Sequence, residues 1–296
     1  MNNIYTIISF FLVVSSCLVC QSFTEIETGD IIGPGNSAKG ASWGDYDNDG
    51  YLDIYVEDFL FKNNGDGSFT QITGGDLQEV GKDVYMGSWG DYDNDGDVDL
   101  AIANYGGSEG GIAREFFINE NGELRNSNII FDEVTNLNRG VSWSDYNNDG
   151  FLDVYIVNSS GGINILQKNN GDGTFTKIDD LEISNSGMTS RCASWGDYDN
   201  DGDMDLFIAN SSGRSKLFNN NSDGTFSPYQ YTESDLVTES AASFTSSWGD
   251  YDNDGDLDLF VGNGGYNSPE LNFLYENNGD ATFTKITSGP IVEDEW

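Results

Sequence analysis

The chain has 296 residues, with 51 acidic against 12 basic side chains, no histidine, and a net charge of −39. That balance argues against nucleic acid and anionic membrane as partners, because phosphate binding needs basic patches. With 13% aromatic residues and 37 glycines, the composition is that of a β-rich globular chain and excludes a disordered acidic tail.

Residues 1–22 read as a secretory signal. Ile4 to Val14 is an apolar run broken only by Thr6 and Ser9, and small residues follow at Ser15, Ser16, Cys17, Cys20 and Ser22. The segment before the run carries no Lys or Arg, and the run is too short for a membrane span. Cleavage is expected near Cys20 or Ser22. Val14-Ser15-Ser16-Cys17 also resembles a bacterial lipobox, which would leave Cys17 lipidated. Residues 23–296 then form the mature module, secreted or held at the cell surface, with no membrane span after signal cleavage. Cys192 stands alone in it, so no internal disulfide forms, and a small buried strand position suits that residue.

Beyond the signal the chain is organised by one stretch, WGDYDNDGYLD from Trp43 to Asp53. Near-copies start at Trp89, Trp143, Trp195 and Trp248, at intervals of 46, 54, 52 and 53 residues. Five copies at this period mark a repeat architecture. With Asp45 as position 1, carboxylates fall at positions 1, 3, 5 and 9 and a glycine at position 6. Alternating aspartates in a tight turn aim several oxygens at one centre, which suits a hard cation with flexible oxygen ligands, Ca²⁺ before Mg²⁺. Without a cation or protons, four carboxylates within nine residues repel one another strongly.

The expected side-chain ligands are Asp45, Asp47, Asp49 and Asp53 in the first loop and Asp91, Asp93, Asp95 and Asp99 in the second. The third loop offers Asp145, Asn147, Asp149 and Asp153, and with one charge fewer it should bind more weakly. The fourth offers Asp197, Asp199, Asp201 and Asp205, and the fifth Asp250, Asp252, Asp254 and Asp258. At position 7 the backbone carbonyls of Tyr51, Asp97, Phe151, Asp203 and Asp256 should add an oxygen each, giving about five Ca²⁺ per chain. An EF-hand is ruled out, because position 12 is apolar in every copy (Val56, Ile102, Ile156, Ile208, Val261) where that motif needs a bidentate Glu.

Each repeat then parses as four short strands. The first ends at the Trp, and the second alternates apolar residues after the loop, as in Leu52, Ile54 and Val56. The third leads into an Asn-Gly or Asp-Gly hairpin such as Asn63-Asn64-Gly65-Asp66-Gly67, and the fourth follows at residues 68–72. Four strands repeated radially describe the blades of an all-β propeller, of about five blades here. Ser22-Phe23-Thr24-Glu25-Ile26 is a surplus fourth strand, giving six such strands against five loops and leaving the closure of the ring open.

These residues resemble the FG-GAP/VCBS repeat family, whose best-known members form the integrin α-subunit propeller. The D-x-D-x-D-G-x-x-D loop matches in full in four copies and with Asn147 in the third, and the likeness covers about residues 22–288. The resemblance implies that each loop joins the first two strands of a blade and binds Ca²⁺, on the face opposite the ligand-binding one. Integrin propellers have seven blades, whereas this chain holds five, or a sixth shared between its ends. No integrin-like leg domains or membrane anchor follow, so integrin function is not implied.

Three functions fit. The first is a calcium-stabilised recognition or adhesion module for an extracellular protein or glycan. Its contacts would lie on the variable segments 104–114, 158–164, 179–191, 210–216, 229–243 and 263–271, with Tyr105, Arg114, Arg214 and Tyr266 as candidates. The second is a polysaccharide-active hydrolase or lyase. Against it stand the lack of histidine and of any G-x-S-x-G motif, and the aspartate clusters are already accounted for by metal, so no enzyme is expected. The third is a purely structural module of a cell surface or matrix.

Overall fold

The computed structural model describes residues 40–56, 59–79, 84–104, 115–127, 129, 138–159, 162–179, 181–184, 189–264 and 270–293. The signal segment, the surplus strand at 22–26, Tyr105, Arg114 and Tyr266 lie outside these residues.

Among the described residues twenty strands form five antiparallel sheets of four, each a simple meander. Blade 1 holds β1 (Ala41–Gly44), β2 (Asp53–Val56), β3 (Phe59–Asn63) and β4 (Phe69–Ile72). Blade 2 holds β5 (Val84–Gly90), β6 (Asp99–Asn104), β7 (Glu115–Glu120) and β8 (Glu123–Asn126). Blade 3 runs through β9 (Asn138–Ser144), β10 (Asp153–Asn158), β11 (Ile165–Asn169) and β12 (Phe175–Ile178). Blade 4 follows as β13 (Thr189–Gly196), β14 (Asp205–Ser212), β15 (Lys216–Asn220) and β16 (Phe226–Pro228). Blade 5 is β17 (Ser243–Gly249), β18 (Asp258–Asn263), β19 (Phe273–Asn277) and β20 (Phe283–Ile286). The α-helices are single turns: α1 (Leu181–Ser184), α2 (Asp235–Thr238) and α3 (Pro290–Glu293).

The second strand of a blade is paired on both edges by its first and third, and neighbouring blades cover its two faces, as blade 2 covers Val154 and Ile156 and blade 4 covers Tyr155 and Val157. In β10 every residue from Asp153 to Asn158 is buried, which is why it reads as a nearly continuous apolar run. Cys192 is buried on β13, as a small apolar residue at that position should be.

Blades pack in series through their first strands, β1 on β5, β5 on β9, β9 on β13 and β13 on β17. Among the described residues no contact of comparable extent joins blade 5 back to blade 1. Aromatic rings fill each junction. Trp89 meets Tyr55 edge-on at 6.5 Å, Trp195 meets Tyr155 at 6.0 Å and Trp248 meets Phe207 at 6.5 Å. Blade 2 has Ala101 where those three blades carry the aromatic, and Phe116 of the neighbouring strand takes its place, 5.5 Å from Trp143. Such pairs are worth about 1 kcal/mol each beyond the area they bury.

Candidate metal centres and the loop rim

The five Asp loops join the first and second strands of their blades and lie at the same strand ends as the hairpins between strands 3 and 4. Their turn is fixed locally. The residue at position 4 is Asn in every copy (Asn48, Asn94, Asn148, Asn200, Asn253) with φ between 56° and 63°. That left-handed conformation is one Asn adopts more readily than other residues with a Cβ. The glycine at position 6 follows with φ between 89° and 101°.

Within this turn the aspartates divide their work. The position 1 carboxylate caps the turn: Asp45 accepts from the backbone N–H groups of Asp49 at 3.0 Å and Gly50 at 2.9 Å. Asp91, Asp145, Asp197 and Asp250 repeat both bonds. The position 9 carboxylate ties the loop to the hairpin. Asp205 accepts from Tyr198 N at 3.1 Å and from Asn220 N at 2.8 Å, and Asp53, Asp99 and Asp258 do the same in their blades. These carboxyls are at most 2% exposed. Burial pushes Asp99 and Asp153 up to about 7 and Asp205 up to about 8; the backbone donors pull the other way, and neighbouring aspartates raise them further. Asp53 is raised for the same first reason.

Three carboxylates converge in four of the loops. One oxygen from each of Asp45, Asp47 and Asp53 lies within 4.8 Å of the others, and so for Asp91, Asp93 and Asp99, for Asp197, Asp199 and Asp205, and for Asp250, Asp252 and Asp254. The full four-carboxylate set is therefore not gathered at one point: position 5 stands outside the group in the first, second and fourth loops, and position 9 outside it in the fifth. The third loop yields no such group, because Asn147 puts an amide where the others have a carboxylate and its Nδ2 donates to Asp153 at 3.3 Å.

The donor set fits a hard cation. All candidate ligands are oxygens, and Asp47 Oδ1 and Asp199 Oδ1 are buried without a hydrogen-bond partner. A buried, unpaired carboxylate oxygen is costly unless something positive meets it. In the first loop a cation of the chain's own is partly in place. Lys62 Nζ pairs with Asp47 and lies 2.8 Å from Asp49 Oδ2, and these hydrogen bonds hold the Lys62 pKa well above its ordinary value. In the third loop Lys168 Nζ lies 3.0 Å from Asp149 Oδ2. The equivalent residues Ile118, Asn219 and Glu276 bring no positive charge to the other three loops.

Lys62 and Lys168 had no role in the sequence reading, and neither did the position 7 side chains. Asp97, Asp203 and Asp256 each accept from the position 4 Asn of the preceding blade, at 2.6 Å in all three cases. Tyr51 and Phe151 instead lie over hairpin glycines, Gly65 and Gly171, where an added Cβ would come within 2.6 Å of the ring. The only signal in the sequence is the division of position 7 into Asp in three copies and an aromatic in two. The hairpin carboxylates are used by their own turns; Asp66 accepts from Ser68 N at 2.9 Å and Oγ at 2.6 Å.

At the opposite strand ends, Arg191 of β13 lies over the Phe244 ring of β17, 5.0 Å from its centroid, and Phe244 is 38% exposed. Arg214 forms an isolated antiparallel bridge with Ser240. No described helix is long and apolar enough to cross a membrane.

Comparison with known proteins agrees with the repeat. The FG-GAP-like repeat profile matches residues 91–156, 145–208, 197–261 and 250–296. Human cartilage acidic protein 1 is 26% identical over 162 residues, 53% of this chain and 24% of that protein. The Xenopus tropicalis protein of the same name is 26% identical over 141 residues, 46% of this chain and 21% of its own length. The matches thus span less than a quarter of those relatives. Among solved structures, a lectin from Agrocybe aegerita described as recognising non-reducing terminal N-acetylglucosamine superposes with a TM-score of 0.53 at 21% identity. That superposition covers 82% of this chain and 64% of the lectin.

Proposed function

Because the chain belongs to the FG-GAP-like repeat family, we propose that it is a secreted or cell-surface recognition module whose Asp loops bind Ca²⁺ and whose opposite rim binds a glycan or protein. The observation that carries the metal half is the convergence of three carboxylates on one oxygen-only centre in four loops of the same rim. Ca²⁺ is the preferred occupant because the loops offer several carboxylates and carbonyls in a flexible turn, not a rigid octahedron. Its ligands would be the position 1, 3 and 9 carboxylates of the first, second and fourth loops, positions 1, 3 and 5 of the fifth, and a weaker set around Asp145 and Asn147 in the third. Position 5 and the position 7 carbonyl would complete the shells.

The recognition half is supported by the fold shared with a glycan-binding lectin and by the rim that carries Arg191 and Phe244. Aromatic faces stack on sugar rings, and Arg donates to their hydroxyls. A glycan is the first candidate, bound without turnover, and the rim is held in shape by blades whose metal sites offset the charge of −39.

The test is a metal count per chain, a thermal melt with and without EDTA, and a glycan array probed with and without chelator. Several Ca²⁺ per chain, a large drop in Tm in EDTA and calcium-dependent binding are expected. A metal-free protein that melts unchanged after chelation would overturn the calcium half. Turnover of a bound polysaccharide would replace recognition with catalysis.

A further inference from the structure

Two side-chain amide contacts join each blade to the next at all four junctions, a tryptophan seated on a glycine joins three of them, and among the described residues blades 1 and 5 each keep an unused half of that set.

The first contact seats a tryptophan on a glycine. Trp89 covers Gly44, Trp143 covers Gly90 and Trp248 covers Gly196, so that an added Cβ would lie 2.7, 3.0 and 2.8 Å from the nearest ring atom. Gly249 is the same position in blade 5, and among the described residues nothing lies within 4 Å of its Cβ direction. Trp43 is the same ring in blade 1, and it is 57% exposed. Among the described residues, blade 5 thus carries an empty seat and blade 1 an unseated ring.

The second contact joins a hairpin to the preceding loop. Asn119, Asn169, Asn220 and Asn277 donate from Nδ2 to the carbonyls of Tyr46, Tyr92, Tyr146 and Tyr198 at 2.6–2.7 Å. Those four tyrosines are 2–6% exposed, whereas Tyr251 of blade 5 is 48% exposed. Asn63, the donor of blade 1, reaches only Leu52 O of its own blade among the described residues.

The third contact runs from loop to loop. Asn48, Asn148 and Asn200 reach the position 7 carboxylate of the following blade, and Asn94 reaches Gly150 O at 2.9 Å because position 7 there is Phe151. Asn253 has the same left-handed backbone and no hydrogen bond from its side chain among the described residues.

We propose that these half-sets mate between copies of the chain, head to tail, with Trp43 of one copy seated on Gly249 of the next. Asn63 would donate to Tyr251 O, and Asn253 to Gly50 O, since position 7 of the first loop is aromatic, as in the third. The occupant is identified by continuity: the chain builds the ring-on-glycine junction three times and its amide contacts four times, and the faces left unused among the described residues are the matching halves. Both halves are neutral, ring on glycine and amide on carbonyl, so the net charge opposes association only at long range and salt should strengthen it. An interface made of two different faces propagates or closes into a ring; it does not stop at a symmetric dimer.

The experiment uses the full chain in calcium-containing buffer, with mass read by light scattering after gel filtration. The wild type is expected to gain mass as its concentration rises. Trp43→Ala removes the ring and Gly249→Leu fills the seat, where the backbone and the open space admit a side chain. Each variant alone should remain a single chain. Mixed, they should form a one-to-one pair and stop there, because W43A keeps its seat and G249L keeps its ring. A misfolded variant could not form that capped pair. A wild type that stays a single chain at every concentration, variants that associate as the wild type does, or a mixture that does not pair would each overturn the proposal.

Discussion

The side-chain amide of Asn220 donates to the backbone carbonyl of Tyr146 at 2.6 Å, across 74 residues of sequence. It therefore fastens the hairpin of blade 4 to the Asp loop of blade 3. The same amide donates to Met204 O at 3.1 Å, and Asn220 Oδ1 accepts from Ser222 N. Asn220→Ala leaves buried acceptors unsatisfied, for which a loss of about 3 kcal/mol is expected. Asn63→Ala in blade 1, where no cross-blade carbonyl is engaged, should cost roughly 1 kcal/mol. Urea denaturation of the two variants checks this, and equal losses would contradict it.

Protonation should act on the metal-free protein in the direction opposite to that for most buried ion pairs. Asp99 and Asp153 are raised to about 7 and Asp205 to about 8, chiefly by burial, against about 3.9 in an unfolded chain. The folded state then holds protons that the unfolded state gives up. Their contribution is complete below about pH 4 and fades as the pH rises through 7 to 8. In EDTA, Tm should fall between pH 5 and pH 8.5. In excess Ca²⁺ the slope should flatten or reverse, because the metal takes the ionised carboxylate. A Tm that climbs with pH in EDTA would refute the protonated assignment.

Calcium affinity should differ among the loops according to their lysines. Lys62 and Lys168 place an ammonium on the carboxylates of the first and third loops, and a divalent ion must displace or tolerate it. Those two loops should hold the weakest sites. Lys62→Met is expected to tighten the first by about fivefold, the scale of a partly exposed ion pair. Calorimetric titration should show one site moving from the weak class to the tight one. A weakened site would mean that Lys62 helps to shape the loop.

Ala281 occupies a hairpin position with φ of 63°, where Gly67, Gly173 and Gly224 stand in three other blades. An L-residue there is strained by about 1 kcal/mol relative to glycine. Ala281→Gly should therefore raise the melting temperature, and no gain would show that the methyl group packed against the blade 4–5 core offsets the strain.

Much of this was legible in the sequence, because the repeat states it five times. The spacing of Trp43, Trp89, Trp143, Trp195 and Trp248 marks the blades, and the period-two runs mark the covered second strands. What stayed hidden is what one repeat does to the next. Asn94 reads as a turn residue, and it is one, yet its amide also reaches Gly150 O, 56 positions away. Position 9 reads as a ligand like the rest of the loop, but Asp205 sits fully buried between two backbone donors. Local pattern gives the turn and the charge; only the packed blade shows which oxygens meet. Lys62 escaped notice for the same reason, since its partners lie 13 and 15 residues back, across a strand pair.

The glycine under Trp89, Trp143 and Trp248 has a consequence for how such a chain grows. A duplicated unit of about fifty residues arrives with a ring at its front, a seat at its back and an amide and a carbonyl to match. Copying a whole unit therefore adds a blade without redesigning either neighbour, while copying part of one breaks a seam. Ser144, standing where Gly44, Gly90, Gly196 and Gly249 are, makes the blade 3–4 junction the one built without that seat.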